Sequence, residues 1–225
     1  MRRYPHFVCF PLLQNTTTIE KGYFIRLQYK GKYNLDPASL PGAEQHPHAV
    51  MFREASDSAA LGRIANTVAL LVLFPGLALL FLRCGRPVFS AIGPGGLLSC
   101  LILFPHEILH ALCFREDVYL YTNWKQGILF VVGPEHMSRA RFVFMSLLPN
   151  LVFGALPFTV AMIFPQYPIL GCFGLFSICA GGGDYYNVWN AMTQMPKGAK
   201  TYLHRFHSWW YLPESEHPQE QEVLR

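Results

Sequence analysis

The stretch VFSAIGPGGLLSCLILFPHEILHALCF (residues 88–114) is apolar over most of its length but contains ionisable residues near its end. These are His106, Glu107 and His110, in the run HEILH. On a helix, residues four apart lie on one face, so both imidazoles can reach a single metal ion. The carboxylate between them lies close enough to act on a water molecule bound to that metal. The stretch therefore predicts a zinc-binding pair, with Glu107 as general base, inside a hydrophobic helix.

The composition of the whole chain is typical of a membrane protein. Hydrophobic residues make up 52% of the 225 residues, and charged residues only 14%, which is too apolar for an ordinary soluble domain. The net charge is +4, with Lys and Arg spread through the connecting segments, so we expect no nucleic-acid partner. The six cysteines form no CxxC pair, so neither a disulfide framework nor a cysteine zinc site is indicated.

Four apolar stretches are long enough to approach or cross a hydrocarbon core about 30 Å thick. They predict an all-α membrane protein with about four transmembrane helices and a small N-terminal extramembrane segment. The predicted spans are residues 64–82, 88–114, 142–164 and 169–191.

These spans divide the chain into three parts. Residues 1–60 form an N-terminal cytoplasmic segment, residues 61–195 a four-span membrane domain, and residues 196–225 a cytoplasmic tail. Alternating apolar and polar residues predict a hairpin over residues 23–35, and residues 49–63 are interpreted as a surface helix leading into the bilayer.

The distribution of positive charge predicts the orientation in the membrane. Nine Lys and Arg residues lie near one set of span ends, whereas only Arg83 and Arg86 lie at the other. Because such residues favour the cytoplasmic side, both termini are predicted to be cytoplasmic.

Asp184 is the only other acidic residue inside the four apolar spans. From the predicted span ends, Asp184 lies about 10 Å below the cytoplasmic face, between His110 at about 6 Å and His106 at about 12 Å. An ionised carboxylate in a bilayer costs several kcal/mol, which a shared zinc ion would offset. We therefore predict that His106, His110 and Asp184 bind Zn²⁺.

Other residues have more than one interpretation. Asn150 lies at the same depth and could stabilise an oxyanion, and Asn187 could hydrogen-bond a ligand histidine, but both could equally make ordinary interhelical hydrogen bonds. Residues 181–183, all glycine, could allow close helix packing or weaken the helix beside Asp184. Less favoured third ligands lie outside the apolar spans; they are Glu116, Asp117, Glu135, His136 and His204.

Two further stretches carry a resemblance to a known family. The stretch YLYTNWKQGILFVVGPEHMSRARFVFMSLLPNLVFG (residues 119–154) and GGGDYYN (residues 181–187), together with HEILH, resemble the zincin peptidase family of bacterial membrane proteins, over roughly residues 60–191. More distantly, a zinc motif in one membrane helix and an aspartate in a later one are similar to the site-two proteases. The chain has Gly-Gly-Asp-Tyr where those enzymes have Asn-Pro-Asp-Gly or Leu-Asp-Gly.

The resemblance implies a zinc metallopeptidase in the bacterial inner (plasma) membrane, acting on a peptide or membrane-protein substrate in or near the lipid bilayer. One alternative is a non-enzymatic membrane protein that binds or carries a metal ion or protons with the same residues. A scaffold with a structural zinc is disfavoured, because three protein ligands leave a coordination position open.

Overall fold

The computed structural model describes residues 26–124 and 127–213 and is mostly helical. A 3-10 turn, Pro37–Ser39, precedes the first long helix. Seven α-helices follow in chain order: α1 (Ser58–Cys84), α2 (Pro87–Leu101), α3 (Leu103–Leu112), α4 (Arg139–Pro149), α5 (Leu156–Ile163), α6 (Pro168–Ala180) and α7 (Gly182–Gln194). A six-residue π-helical segment, Asn150–Ala155, joins α4 to α5.

Two or three helical units among the described residues are long and apolar enough to cross a membrane. Helix α1 has 27 residues, and the continuous helix Arg139–Ile163 has 25. The pair α2 and α3 counts as a third if its 43° bend lies within one span. Four transmembrane helices are not confirmed, because the predicted fourth span breaks at Gly181 into α6 and α7. Each has 13 residues, or about 20 Å of helix, which is short for a bilayer.

Two β-sheets accompany the helices, so the prediction of an all-α fold is wrong in this respect. The strands are β1 (Leu27–Lys32), β2 (Val50–Met51), β3 (Val118–Asn123), β4 (Ile128–Val132), β5 (Met137–Ser138), β6 (Lys200–His204) and β7 (His207–Tyr211). One sheet has the order β1-β3-β4, with β1 parallel to β3 and β4 antiparallel to it. The other is antiparallel, with the order β2-β7-β6-β5.

The sheets change the interpretation of both ends of the chain. Strand β1 pairs with β3 instead of forming a local hairpin over residues 23–35, of which residues 23–25 lie outside the described part. In place of a surface helix over residues 49–63 there is strand β2 and a loop, and α1 begins only at Ser58. Asp57 starts α1 by accepting a hydrogen bond from the Ala60 amide (2.8 Å). The N-terminal and C-terminal segments thus share sheets with strands that lie between the helices.

Helix α6 is the centre of the helical core and packs against α1, α2 and α5. Glycines allow these helices to approach closely. A Cβ atom at Gly174 of α6 would lie 2.4 Å from the Phe158 amide nitrogen and 2.7 Å from the Gly154 carbonyl oxygen. The fully buried side chains of this core are small or aliphatic; they are Leu80, Val88, Ala91, Ala161, Cys172 and Leu175.

We expect Gly174→Ala to destabilise the protein, since its methyl group would meet backbone atoms that cannot rotate away. Overpacking of this kind costs about 1–3 kcal/mol. The matched control is Gly93→Ala in α2, where a Cβ atom would meet nothing within 4 Å. That change should leave stability equal or raise it by up to about 1 kcal/mol through helix propensity. Thermal unfolding in detergent, followed by circular dichroism, measures both, and equal transition midpoints would contradict the close-packing assignment.

Candidate metal centre

Helix α3 places both histidines of the motif side by side. The helix begins just after the bend at Ile102, and the His106 amide donates to the Ile102 carbonyl oxygen (2.8 Å) in its first turn. The imidazole rings of His106 and His110 are 4.9 Å apart, and their Nε2 atoms are separated by 3.2 Å. The spacing of four residues therefore directs both Nε2 atoms to one point, as the sequence predicts.

Asp184 brings a carboxylate to the same point from α7. Its Oδ2 atom lies 3.2 Å from His106 Nε2, and its Oδ1 atom lies 3.3 Å from His110 Nε2. Tetrahedral zinc with bonds of about 2.0–2.1 Å requires neighbouring donor atoms about 3.3 Å apart. Each histidine nitrogen thus lies at this distance from one of the two Asp184 oxygens, and imidazole nitrogen and carboxylate oxygen are both donors that zinc accepts.

Glu107 lies beside these groups, and its donor atom is within 4.8 Å of those of the two histidines. Its Oε2 atom accepts a hydrogen bond from the Val131 amide of β4 (2.9 Å). Glu107 is therefore held by a strand amide, whereas no such amide contacts Asp184 among the described residues. The sequence did not predict this contact, because β4 lies between the second and third predicted spans, where no strand was expected.

A backbone carbonyl fixes the orientation of His110. His110 Nδ1 lies 2.9 Å from the carbonyl oxygen of Met145 in α4. Because a carbonyl only accepts, Nδ1 carries the proton, and Nε2 of the neutral ring has a free lone pair. This is the tautomer that can bind a metal through Nε2.

Asn150 supports Asp184 from the π-helical segment. Its Nδ2 group donates to Asp184 Oδ2 (2.7 Å) and also to the Ser146 carbonyl oxygen (3.2 Å). The close approach depends on Gly181, where a Cβ atom would lie 1.9 Å from Asn150 Oδ1. Asn150 thus makes an interhelical hydrogen bond to the carboxylate. Asn187 lines the neighbouring cavity, and no hydrogen bond between described residues joins it to either histidine.

His106, Glu107, His110 and Asp184 line a cavity of about 460 Å³ between the helices and both sheets. This volume is within the range of small-ligand and peptide sites. Besides the four residues of the centre, the wall contains Glu54, whose Oε1 accepts from the Ser208 amide (2.7 Å) and lies 3.3 Å from His207 Nδ1. Burial raises the pKa of the Glu54 carboxyl, an effect that Ser208 and His207 oppose. The cavity wall therefore carries acidic groups beyond those beside the two histidines.

The other ligand candidates from the sequence analysis are mostly engaged elsewhere. Glu135 lines the cavity but pairs with Arg141, and Asp117 lies 3.7 Å from Arg26. His136 Nδ1 is 2.9 Å from the Tyr211 hydroxyl, and His204 Nδ1 is 2.7 Å from the Ala43 carbonyl oxygen. Glu116 follows α3, and its backbone amide donates to Glu135 Oε2 (3.2 Å). Among the described residues, Asp184 is thus the carboxylate that contacts both histidines.

Comparison with protein families finds one match. Residues 99–200 match the model of a family described as "Putative zincin peptidase". This range includes His106, Glu107, His110, Asn150 and Asp184, and it confirms the family resemblance over those residues. The more distant similarity to site-two proteases stays a prediction. Comparison with curated proteins and with solved structures finds no match.

We expect Gly181→Ala to weaken zinc binding, because the new methyl group would displace the Asn150 amide from Asp184. Losing an outer hydrogen-bond partner of a metal ligand typically lowers metal affinity 10- to 100-fold. Gly183→Ala is the matched control, since a Cβ atom there would meet nothing within 4 Å. Competition with a chromophoric chelator in detergent measures both affinities. Equal affinities of the two variants would contradict the role given to Asn150.

Proposed function

We propose that this protein is a membrane-embedded zinc metallopeptidase that hydrolyses peptide bonds in or near the bilayer. The observation that carries the proposal is the group of three donors, from His106, His110 and Asp184, at separations of 3.2–3.3 Å with a second carboxylate beside it. The family match over residues 99–200 supports zinc as the metal and peptide hydrolysis as the reaction.

In this proposal the four residues have different roles. His106, His110 and Asp184 would hold the zinc ion at the wall of the cavity. A zinc ion at such a site supplies Lewis-acid activation of a water molecule and of a carbonyl group. Glu107 takes the proton from the water molecule and passes it to the leaving amine. The hydrogen bond from the Val131 amide to Oε2 holds the Glu107 carboxylate in place and leaves its other oxygen free for the proton.

The surface of the helices supports a location in the membrane. On α1, Leu71, Phe74 and Leu82 are 70%, 66% and 81% exposed. Soluble proteins rarely expose so continuous an apolar surface, whereas lipid tails would cover it. Helix α3, which carries the histidines, belongs to the bent candidate span α2–α3. We infer that the protein is integral to the bacterial inner membrane, with both termini cytoplasmic, as the excess of Lys and Arg predicts.

The substrate is then a peptide or a segment of a membrane protein that reaches the cavity between the helices and the sheets. The carrier alternative is less well supported, because the family match names a peptidase and carriers often contain internal repeats, which the sequence does not suggest. A structural zinc is also less well supported, because the donor group faces a cavity instead of a closed core.

We expect Glu107→Gln to keep about one zinc per chain and to lose peptide hydrolysis, because the amide can occupy the same volume but cannot accept the proton. General-base catalysis contributes about 10²- to 10⁴-fold, so the rate should fall by at least that range. The assay uses purified protein in detergent, a quenched-fluorescence peptide library for activity, and elemental analysis for zinc.

The paired variant is His106→Ala, which should lose both zinc and activity. If His106→Ala retains as much zinc as the wild type, the site assignment fails. Uptake of metal into vesicles by the wild type, without cleavage of any peptide, would instead favour the carrier.

A further inference from the structure

Arg141 lies at a position in α4 where a positive charge is unfavourable. It lies in the first turn of α4, where the positive end of the helix dipole disfavours a cation, and no acidic residue lies in that turn. Its contacts point instead to the end of α3. Nε and Nη2 both donate to the carbonyl oxygen of Cys113, at 3.0 and 2.5 Å. Cys113 is the C-terminal cap of α3, where a cation is favoured.

Glu135 completes this arrangement from the other side. Its side chain is buried, with 5% exposed, and its Oε1 atom pairs with Arg141 Nη1. Its Oε2 atom accepts from the amides of Arg115 (2.6 Å) and Glu116 (3.2 Å), the residues that follow α3. A buried carboxylate requires this number of partners, since an unpaired one would cost several kcal/mol. The end of α3 is therefore held by Arg141 at Cys113 and by Glu135 at the two following amides.

The same two helices meet at a second point inside the metal centre. Arg141 and Met145 are one turn apart on α4, and His110 and Cys113 are one turn apart on α3. Arg141 contacts Cys113, and the Met145 carbonyl oxygen contacts His110 Nδ1 at 2.9 Å. Along α3 the two contacts go from His110 to Cys113, and along α4 they go from Met145 back to Arg141. Together they fix the position of α3 relative to α4 along the helix axes. That relative position decides whether the Met145 carbonyl oxygen faces His110 Nδ1.

We propose that Arg141, held by Glu135, is a positioning residue that sets α3 against α4 so that His110 presents Nε2 to the metal. This inference rests on the proposed zinc site. It gives Arg141 and Glu135 a function that the three proposed ligands and Glu107 do not have. That function is to align His110 with the carbonyl oxygen of Met145.

The test is Arg141→Gln, with zinc affinity and the visible spectrum of the cobalt-substituted protein as readouts in detergent. We expect a 10- to 100-fold weaker zinc affinity, as is typical when the outer support of a ligand is lost, and a changed cobalt spectrum. The direction of the change in zinc affinity distinguishes an effect of charge from an effect of geometry. Removing a cation near the site would strengthen metal binding if charge alone mattered, so weaker binding indicates geometry.

The matched control is Arg83→Gln. Arg83 also donates to carbonyl oxygens at a helix end, those of Met162 (2.6 Å) and Ile163 (3.1 Å) of α5, but it contacts neither α3 nor α4. This change should leave affinity and spectrum as in the wild type. If Arg141→Gln does not fold, Arg141→Lys carries the test. Lysine keeps the charge beside Glu135 but lacks the planar group that donates twice to Cys113.

Wild-type affinity in Arg141→Gln, or tighter binding, overturns the inference. So does weaker binding with an unchanged cobalt spectrum in the fully loaded protein, because a general loss of stability would lower affinity without changing the surroundings of the bound ion. If the wild type itself binds no zinc, the proposed function fails as well. If the wild type binds zinc and only the Arg141 result is negative, the proposed function stands and this inference alone is rejected.

Discussion

The arrangement of the helices around the site depends on the contact of the Asp184 carboxylate with both His106 and His110. It faces two imidazoles, and its side chain is only 16% exposed, so its charge must be balanced by the groups it touches. Three elements meet there: α3 brings the histidines, α7 brings the carboxylate, and the π-helical segment brings the Asn150 amide. If one of these three elements were displaced, a buried polar atom of the others would lose its hydrogen-bond partner, which is costly.

The same requirement gives the sheet and the loops a role beside the apolar helices of this chain. Glu107 accepts from a strand amide, and Glu135 accepts from the amides that lead from α3 into β3. Beyond the first turn of a helix, the amides are bonded to the helix's own carbonyl groups and cannot donate to a side chain. Amides of strands and loops are available for this purpose. The candidate metal centre thus combines side chains from apolar helices with backbone donors from outside them.

The sequence was informative where the chemistry is local or the environment restrictive. The spacing of His106 and His110 determines their common face, and an isolated carboxylate in an apolar span required a partner, so the meeting of Asp184 with both histidines could be predicted. The two sheets could not be predicted in this way. Strand β1 pairs with β3 across about ninety positions of the chain, and no local pattern encodes that pairing. The break at Gly181 was similarly misjudged, because mean apolarity over residues 169–191 conceals a helix end.

The π-helical segment Asn150–Ala155 has a consequence for how the helix Arg139–Ile163 can vary. A π-helical turn contains about one residue more than an α-helical turn, and deleting one residue from it would restore regular α-helix at little cost to the backbone. Deleting one residue from the regular α-helix on either side of this segment would, in contrast, rotate every side chain on one side of the deletion by about 100° relative to the other side. Asn150 and the core-facing residues of α5 would then no longer face their partners together. The length of this helix can therefore change by one residue without disturbing those contacts only where the π-helical segment takes up the change.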